Sequence, residues 1–244
     1  MEVGDRICRN AGIKKVTMEL GSNSPLIVMS DADIEKVAAA TVAGGFSNAG
    51  QVCISTQRVF ADKRIYADFL DALVEPTETF ITGNPVDEAI KMGPMIRESD
   101  AARVHEWISE AVGQGARVVA GGDREGTLHA PTVVADATPD MRISREELFG
   151  PAVAVSSFDN IDEAIEMAND SRFGLSAGIF TQNVDWAMRF AREVESGNLH
   201  INSSPQWRAD LMPYGGLKDS GMGKEGPGYA VHEMTELKMV VFHL

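Results

Sequence analysis

The chain has 244 residues, of which 44% are hydrophobic and 24% are charged, a composition typical of a globular protein with a sizeable core. Its formal net charge of -14 disfavours nucleic acid and anionic membranes as partners, because an acidic surface repels phosphate groups. With two cysteines, Cys8 and Cys53, and no apolar signal or membrane-spanning segment, we expect a cytoplasmic protein without a disulfide framework or a Cys/His metal site.

The first quarter of the chain predicts two short strands and one helix. Residues 16–20 and 26–29 are apolar runs separated by a turn-rich segment, which is typical of strands. In residues 34–42 apolar side chains recur at the i, i+3, i+4, i+7 spacing of one helical face. We expect that helix to end near Gly50, so that Cys53 lies in the loop just beyond it.

Strands and helices then alternate through most of the chain. The predicted strands are residues 58–61, 117–120, 152–158, 177–181 and 198–202, and the predicted helices are residues 65–73, 100–112, 162–168 and 185–194. Such alternation favours an α/β fold with a largely parallel sheet built by right-handed crossovers. Residues 213–228 are rich in glycine, and residues 237–243 predict a final apolar strand.

Cys53 is the first candidate for chemistry, because it follows a helix in a flexible segment that contains Gly50. A thiolate is a strong nucleophile, and its pKa falls when backbone N–H groups or positive charge face it. The alternative is that Cys53 is a small buried apolar residue, as most free cysteines are. None of the five histidines lies in a recognisable motif with Cys53, so a cysteine-protease interpretation is weakly supported.

Carboxylates at two places offer a base or a ligand contact. Glu19 lies between apolar neighbours at the end of a predicted strand, where partial burial would raise its pKa toward the range of a general base. Glu146 and Glu147 precede Phe149 and a Gly-Pro turn; they are either surface charge or a carboxylate and a ring presented to a cofactor. The glycine-rich residues 215–226 match neither common phosphate-loop pattern, which indicates a structural turn.

Four motifs together resemble the aldehyde dehydrogenase superfamily and occur in its order. Residues 18–25, Met-Glu-Leu-Gly-Ser-Asn-Ser-Pro, are similar to its Glu-Leu-Gly-Gly-x-Ser-Pro motif, with Ser22 in place of the second glycine. Residues 46–53 resemble its Gly-Gln-x-Cys nucleophile motif, residues 146–151 its Glu-Glu-x-Phe-Gly-Pro motif, and residues 213–221 its Pro-Phe-Gly-Gly-x-Lys-x-Ser-Gly motif. These motifs span nearly the whole chain, which makes the resemblance specific.

The resemblance implies an oxidation of an aldehyde to a carboxylic acid with NAD or NADP. Cys53 would attack the aldehyde to form a thiohemiacetal, and hydride transfer to the nicotinamide would leave a thioester. Glu19 would activate the water that hydrolyses this thioester. Glu147 would bind hydroxyls of the nicotinamide ribose and Phe149 would pack near the nicotinamide, while Glu225 is a candidate for proton relay.

The resemblance also implies a three-layer catalytic domain of the aldehyde dehydrogenase type. Residues 1–21 would be a remnant of the coenzyme-binding domain, residues 22–213 the catalytic domain, residues 214–235 a return segment and residues 236–244 an oligomerisation strand, which predicts a homo-oligomer. The family's N-terminal half builds the dinucleotide-binding sheet, and apart from residues 1–21 we find no counterpart of it in the sequence. We therefore expect this polypeptide alone to bind NAD(P) poorly and not to turn over aldehyde.

The expected partner is a small aldehyde, and Arg208 and Tyr214 are the expected substrate-binding residues. In the family the segment before Pro213 lines the substrate tunnel, and Asn202 resembles a position that lines the active-site region. The guanidinium of Arg208 could bind a carboxylate or phosphate of the substrate through two parallel hydrogen bonds, which would favour anionic aldehydes. The alternative is an arginine at the rim that pairs with Asp210.

Two other functions stay open from the sequence. Cys53 and Glu19 could serve a cofactor-independent cysteine esterase or acyl transferase, or the chain could be an inactive structural fragment. Ester hydrolysis without NAD would favour the esterase. Alkylation of Cys53 no faster than that of a free thiol would favour the inactive chain.

Overall fold

The computed structural model describes residues 2–244. The helices are α1 (Glu2–Ala11), α2 (Ile34–Phe46), α3 (Tyr66–Glu78), α4 (Glu98–Gly113), α5 (Arg142–Arg145), α6 (Ile161–Asn169), α7 (Val184–Glu193) and α8 (Pro227–Met234). The strands are β1 (Met18–Glu19), β2 (Pro25–Val28), β3 (Arg58–Asp62), β4 (Arg117–Ala120), β5 (Arg124–Glu125), β6 (Leu128–His129), β7 (Thr132–Ala135), β8 (Ala152–Phe158), β9 (Phe173–Gly174), β10 (Ser176–Phe180), β11 (Asn198–Ile201), β12 (Leu217–Lys218) and β13 (Gly221–Met222).

Three of the helices that cover the sheet begin at a side-chain cap. Asp33, Asn160 and Asn183 accept hydrogen bonds from backbone N–H groups in the first turns of α2, α6 and α7. These bonds satisfy donors that have no partner inside the helix, so the capping residues fix where each helix starts. The predicted helices and the major predicted strands are confirmed, with ends moved by a few residues.

A seven-stranded sheet lies at the centre of the molecule in the order β11-β10-β2-β3-β8-β7-β4. Its neighbouring strands are parallel except for β4 and β7, which pair antiparallel at one edge. The central strand β2 is buried on both faces, because Leu26 and Val28 belong to one apolar core and Ile27 between them belongs to the other. The predicted α/β fold with a largely parallel sheet is confirmed.

Helices cover both faces of the sheet and produce three layers. On one face α2, α3 and α4 bury Phe46, Phe69 and Trp107 against the strands. On the other face α6 and α7 bury Ile165 and Phe190. Each helix places one apolar stripe on the sheet, which is the arrangement that alternating strands and helices favour. None of the helices described between residues 2 and 244 is both long and apolar enough to cross a membrane.

A short ribbon beside the main sheet holds the first candidate carboxylate. Strands β1 and β13 pair antiparallel, with Met18 opposite Met222 and Glu19 opposite Gly221. Gly221 has a φ of 140° and lies so close to the Met18 carbonyl that a side chain there would collide with it. The glycine-rich segment therefore does more than turn the chain, because it pairs with the strand that carries Glu19.

The C-terminal segment differs from its prediction. Residues 235–244 contain no strand, and Leu237 and Phe242 are 101% and 84% exposed. An extended segment becomes a strand only by hydrogen bonding to a neighbour, and within the described part of the chain residues 237–243 have none. The predicted strand is wrong for the single chain, while its role in an oligomer stays a prediction.

Candidate active site

The loop that carries Cys53 is held in a tight, unusual backbone conformation. After α2, Asn48 and Ala49 both have a φ of 55° and Gly50 has a φ of 65°, so three successive residues are left-handed. Gly50 also lies directly against the carbonyl of Gly150, where any side chain would collide. The Ser55 hydroxyl donates to the Gly44 or Gly45 carbonyl at 3.1 and 3.2 Å and so fastens the far side of the loop to the end of α2. Cys53 is therefore placed by backbone packing.

Cys53 is in direct contact with a tyrosine from the distant glycine-rich segment. Its Sγ lies 3.1 Å from the Tyr214 hydroxyl, and both side chains belong to a small apolar cluster with Ile54 and Leu175. Burial raises the pKa of the Cys53 thiol, the hydrogen bond from Tyr214 opposes that rise, and the negative charges of Glu19 and Glu147 add to it. The two groups that the sequence predicts as nucleophile and substrate contact are thus hydrogen bonded to each other.

Glu19 has the environment of a general base. Both of its carboxylate oxygens are buried and have no hydrogen-bond partner among the described residues. Burial and the nearby charge of Glu225 raise the pKa of Glu19 from 4.5 to about 7, against the opposing charges of Lys224 and Arg208. A carboxylate with this pKa can take up and release a proton near neutrality, which is what a base that activates water requires.

Arg208 lies between Tyr214 and Glu225. Its guanidinium is 4.3 Å from the centre of the Tyr214 ring, and its Nη2 donates to Glu225 Oε2 at 2.7 Å. Glu225 in turn pairs with Tyr214 through the backbone, accepting from its N–H and donating to its carbonyl. The alternative considered from the sequence, a pairing of Arg208 with Asp210, is wrong. The observed partner is Glu225, which lies 17 residues after Arg208 and is held in place by this backbone pairing.

Glu147 and Phe149 lie on a neighbouring part of the surface. One oxygen of Glu147 accepts a hydrogen bond from the Ser22 N–H at 2.9 Å, and burial raises the pKa of this carboxyl. Glu147 lines a cavity of about 370 Å³ together with Trp107 and Phe173. Phe149 has a φ of 50° and is 38% exposed, so its ring is presented outward from a strained turn. A carboxylate on a cavity and an exposed ring beside it fit a sugar hydroxyl and a planar group of a dinucleotide.

Two polar side chains near the sheet have structural partners. Asn202, which the resemblance places near the active site, accepts a hydrogen bond from the Thr181 N–H at 2.9 Å and so ties the ends of β10 and β11 together. Arg58 is buried, and its guanidinium donates to the carbonyls of Met167 and Ala168 at the end of α6. The cavity of about 280 Å³ beside Arg58 contains none of the residues that surround Cys53.

Sequence reasoning finds the residues of this site but misses one of them and most of the contacts. Lys224 lies close enough to Glu19 to lower its pKa, and its Nζ donates to the Gly215 carbonyl at 2.8 Å. The only signal for it is its position next to Glu225 in the glycine-rich segment. Among residues 2–244, no three His, Cys, Asp or Glu side chains are arranged to hold a metal ion.

Comparison with known proteins gives a consistent match over the whole chain. The model of the "Aldehyde dehydrogenase family" matches residues 1–240. A 3-sulfolactaldehyde dehydrogenase of Priestia aryabhattai is 50% identical over 242 residues, which are 99% of this chain and 51% of that protein. A lactaldehyde dehydrogenase of Methanococcus maripaludis is 42% identical, over 100% of this chain and 52% of that protein. The chain thus spans about half the length of the curated relatives it matches.

Solved structures agree with this match. Aldehyde dehydrogenase 21 from Physcomitrella patens, in complex with the reaction product succinate, superposes with a TM-score of 0.93 at 38% identity, covering 96% of this chain and 49% of that one. Glyceraldehyde-3-phosphate dehydrogenase GapN from Methanocaldococcus jannaschii, complexed with NADP, gives a TM-score of 0.94 at 36% identity, covering 97% of this chain and 52% of that one.

Proposed function

Because the chain belongs to the aldehyde dehydrogenase family, we propose that Cys53 is the nucleophile of an NAD(P)-dependent oxidation of an aldehyde to a carboxylic acid. The observation that carries the proposal is that a partly buried thiol lies within electrostatic range of Glu19, a carboxyl whose oxygens have no hydrogen-bond partner among the described residues and whose pKa is about 7. The proposal concerns the whole reaction, whereas the chain spans about half the length of the relatives it matches.

In the first step the Cys53 thiolate attacks the carbonyl carbon of the aldehyde. A C–S bond forms, the carbonyl electron pair moves to oxygen, and the resulting thiohemiacetal oxyanion lies within reach of the Cys53 backbone N–H. The Ile54 N–H also donates toward the sulfur, which lowers the pKa of the thiol. The carbon now carries the hydrogen that leaves as hydride.

A bound nicotinamide dinucleotide would supply the acceptor for that hydride, which brings the carbon to the oxidation level of an acid. Glu147 is the proposed acceptor for the hydroxyls of the ribose, and Phe149 is the proposed ring neighbour of the nicotinamide. The proposal leaves NAD and NADP as alternatives: GapN is complexed with NADP, whereas betaine aldehyde dehydrogenase from Staphylococcus aureus, at 33% identity, is in complex with NAD+.

Glu19 completes the reaction by hydrolysis of the thioester on Cys53. Its carboxylate takes a proton from water, the hydroxide oxygen adds to the thioester carbon, and the C–S bond breaks to release the acid and the thiolate. Above about pH 7 Glu19 is charged and can accept the proton, whereas below that pH it is already protonated. Burial is the main cause of this pKa, with Glu225 raising it further and Lys224 lowering it. Glu225 is also the proposed proton relay.

The proposed substrate is a small anionic aldehyde. Arg208 lies on the ring of Tyr214, the tyrosine that contacts Cys53, and can bind a carboxylate, phosphate or sulfonate, although Glu225 occupies one edge of its guanidinium in this structure. The names of the relatives, 3-sulfolactaldehyde and lactaldehyde dehydrogenase, support small substrates. The sulfonate of the first substrate and the carboxylates of succinate, the reaction product bound to aldehyde dehydrogenase 21, support an anionic one.

Trapping the thioester tests the proposal on this chain. The Glu19→Gln variant, incubated with an aldehyde and millimolar NAD+ or NADP+, should accumulate an acyl adduct on Cys53 that mass spectrometry detects, and Cys53→Ala should show none. Because the adduct accumulates, weak nucleotide binding slows the signal without removing it. If an activated acyl ester labels Cys53 but an aldehyde with nucleotide never does, the chain is a cofactor-independent acyl hydrolase and the proposal fails.

A further inference from the structure

The Tyr214 hydroxyl is aimed at the sulfur of Cys53 by a rigid setting. The two atoms are 3.1 Å apart, and Tyr214 is only 3% exposed. Its ring packs on Ile54 and Leu175, while its backbone is paired with Glu225 on both sides. A phenol held in this way cannot rotate away toward solvent when the sulfur changes its charge.

The direction of this hydrogen bond follows from the charges around it. Burial, Cys53 and Glu19 all raise the pKa of Tyr214 above its ordinary value, so the phenol keeps its proton over the pH range in which a thiol ionises. When Cys53 becomes a thiolate it can only accept, and Tyr214 can then only donate. The contact is therefore worth most in the ionised state, because hydrogen bonds to charged atoms are the stronger ones.

Arg208 adds to this effect from the far side of the ring. Its guanidinium lies 4.3 Å from the ring centre and is held there by Glu225. A cation on the face of a phenol withdraws electron density from the ring, which makes the hydroxyl a better donor. Without Tyr214, the Ile54 N–H would be the one remaining hydrogen-bond donor among the described residues that favours the thiolate against the charges of Glu19 and Glu147.

We propose that Tyr214 is a catalytic residue that stabilises the Cys53 thiolate by donating its phenolic hydrogen to the sulfur, and that Arg208 is a positioning residue that strengthens this bond through the ring. No bond of the phenol breaks: the thiol proton leaves to solvent or to Glu19, and Tyr214 keeps its own. The same bond assists the last step, in which the thiolate is the leaving group. The role in catalysis rests on the proposed function, whereas the hydrogen bond to the sulfur does not.

The test is the pH dependence of Cys53 alkylation by iodoacetamide, measured in a Cys8→Ser background so that one thiol remains. The Tyr214→Phe variant keeps the ring and loses the hydrogen bond, so the alkylation midpoint should rise by about one pH unit. A less stabilised thiolate is also more nucleophilic, so the rate plateau at high pH should rise about threefold while the rate at pH 7 falls about threefold. A merely structural role would change the rate at every pH and leave the midpoint in place.

Arg208 is tested by a double-mutant cycle on the same midpoint. Arg208→Ala also changes the charge near Glu19, but that effect is present in both backgrounds and cancels. We expect Arg208→Ala to raise the midpoint more when Tyr214 is intact than in the Y214F background. An unchanged midpoint in Y214F would overturn the role of Tyr214, and equal shifts in the two backgrounds would overturn that of Arg208. The assay contains no aldehyde and no nucleotide, so its failure is distinct from failure of the thioester trap.

Discussion

The buried carboxyl of Glu19 should make the chain less stable at alkaline pH, and Glu19→Gln should remove that penalty. The folded state raises the pKa of Glu19 from 4.5 to about 7, so between these values it holds a proton that the unfolded state releases. Stability is therefore lost as pH rises through this window, and none is lost to this group below it. Each pKa unit corresponds to about 1.4 kcal/mol, which gives an upper limit of about 3 kcal/mol. Because Glu19 is only partly buried and solvent screens its charge, we expect about 2 kcal/mol.

Urea unfolding at pH 5 and pH 8 measures this penalty. The free energy of unfolding of Glu19→Gln should exceed that of the unchanged chain by an amount that grows by about 2 kcal/mol between the two pH values. Glu146→Gln is the control, because it makes the same chemical change at an exposed carboxyl, where burial imposes no penalty. A gap for Glu19→Gln that is the same at both pH values would refute the reasoning, since a packing effect has no reason to follow this titration.

Four further predictions concern the site and its partners. Arg208→Ala should weaken about tenfold the protection that an anionic aldehyde gives Cys53 against alkylation by iodoacetamide, and should leave the protection by a neutral aldehyde of similar size unchanged; equal losses would contradict anion recognition. Glu225→Gln removes the second-largest influence on Glu19, so the midpoint of thioester hydrolysis should fall by about one pH unit below 7, and a rise would contradict the assignment. Isothermal titration should show weak binding of NAD+ or NADP+ to this chain, and tight binding would contradict that expectation. Light scattering should show a dimer or larger assembly that dissociates when residues 236–244 are removed; a monomer before the deletion would remove their proposed role.

The repeating elements of the fold can be predicted because their apolar spacing is local. Residues 34–42 show a helical face, and the strands on either side of the sheet centre are short apolar runs. Strand β7 escapes prediction although all four of its residues are buried. Its Thr-Val-Val-Ala run after Pro131 carries the same β-branched signal as residues 117–120, so the sequence offers this strand and the prediction omits it.

The residues proposed for the site come from sequence motifs, whereas their contacts come from the structure. The motif order brings Cys53 and Glu19 forward as nucleophile and base. The hydrogen bond from Tyr214 to Cys53 joins residues 161 positions apart, and no spacing rule covers such a pair. Arg208 shows the same limit, because the carboxylate nearest in sequence is Asp210 whereas the fold supplies Glu225. The backbone bridge that places Glu225 joins two irregular segments, so it depends on the complete fold and not on a local sequence pattern.

The contact between Gly50 and Gly150 fixes the loop that carries Cys53 against the turn that carries Glu147 and Phe149. Gly50 lies against the carbonyl of Gly150, and Gly150 in turn lies against Val104 of α4, so neither position has room for a methyl group. The loop that carries Cys53 and the turn that carries Glu147 and Phe149 therefore cannot move closer together without displacing a helix of the core. The smallest spacing between Cys53 and the two residues proposed to contact the dinucleotide is thus set by two backbone segments in contact, which yield less than a pair of side chains would.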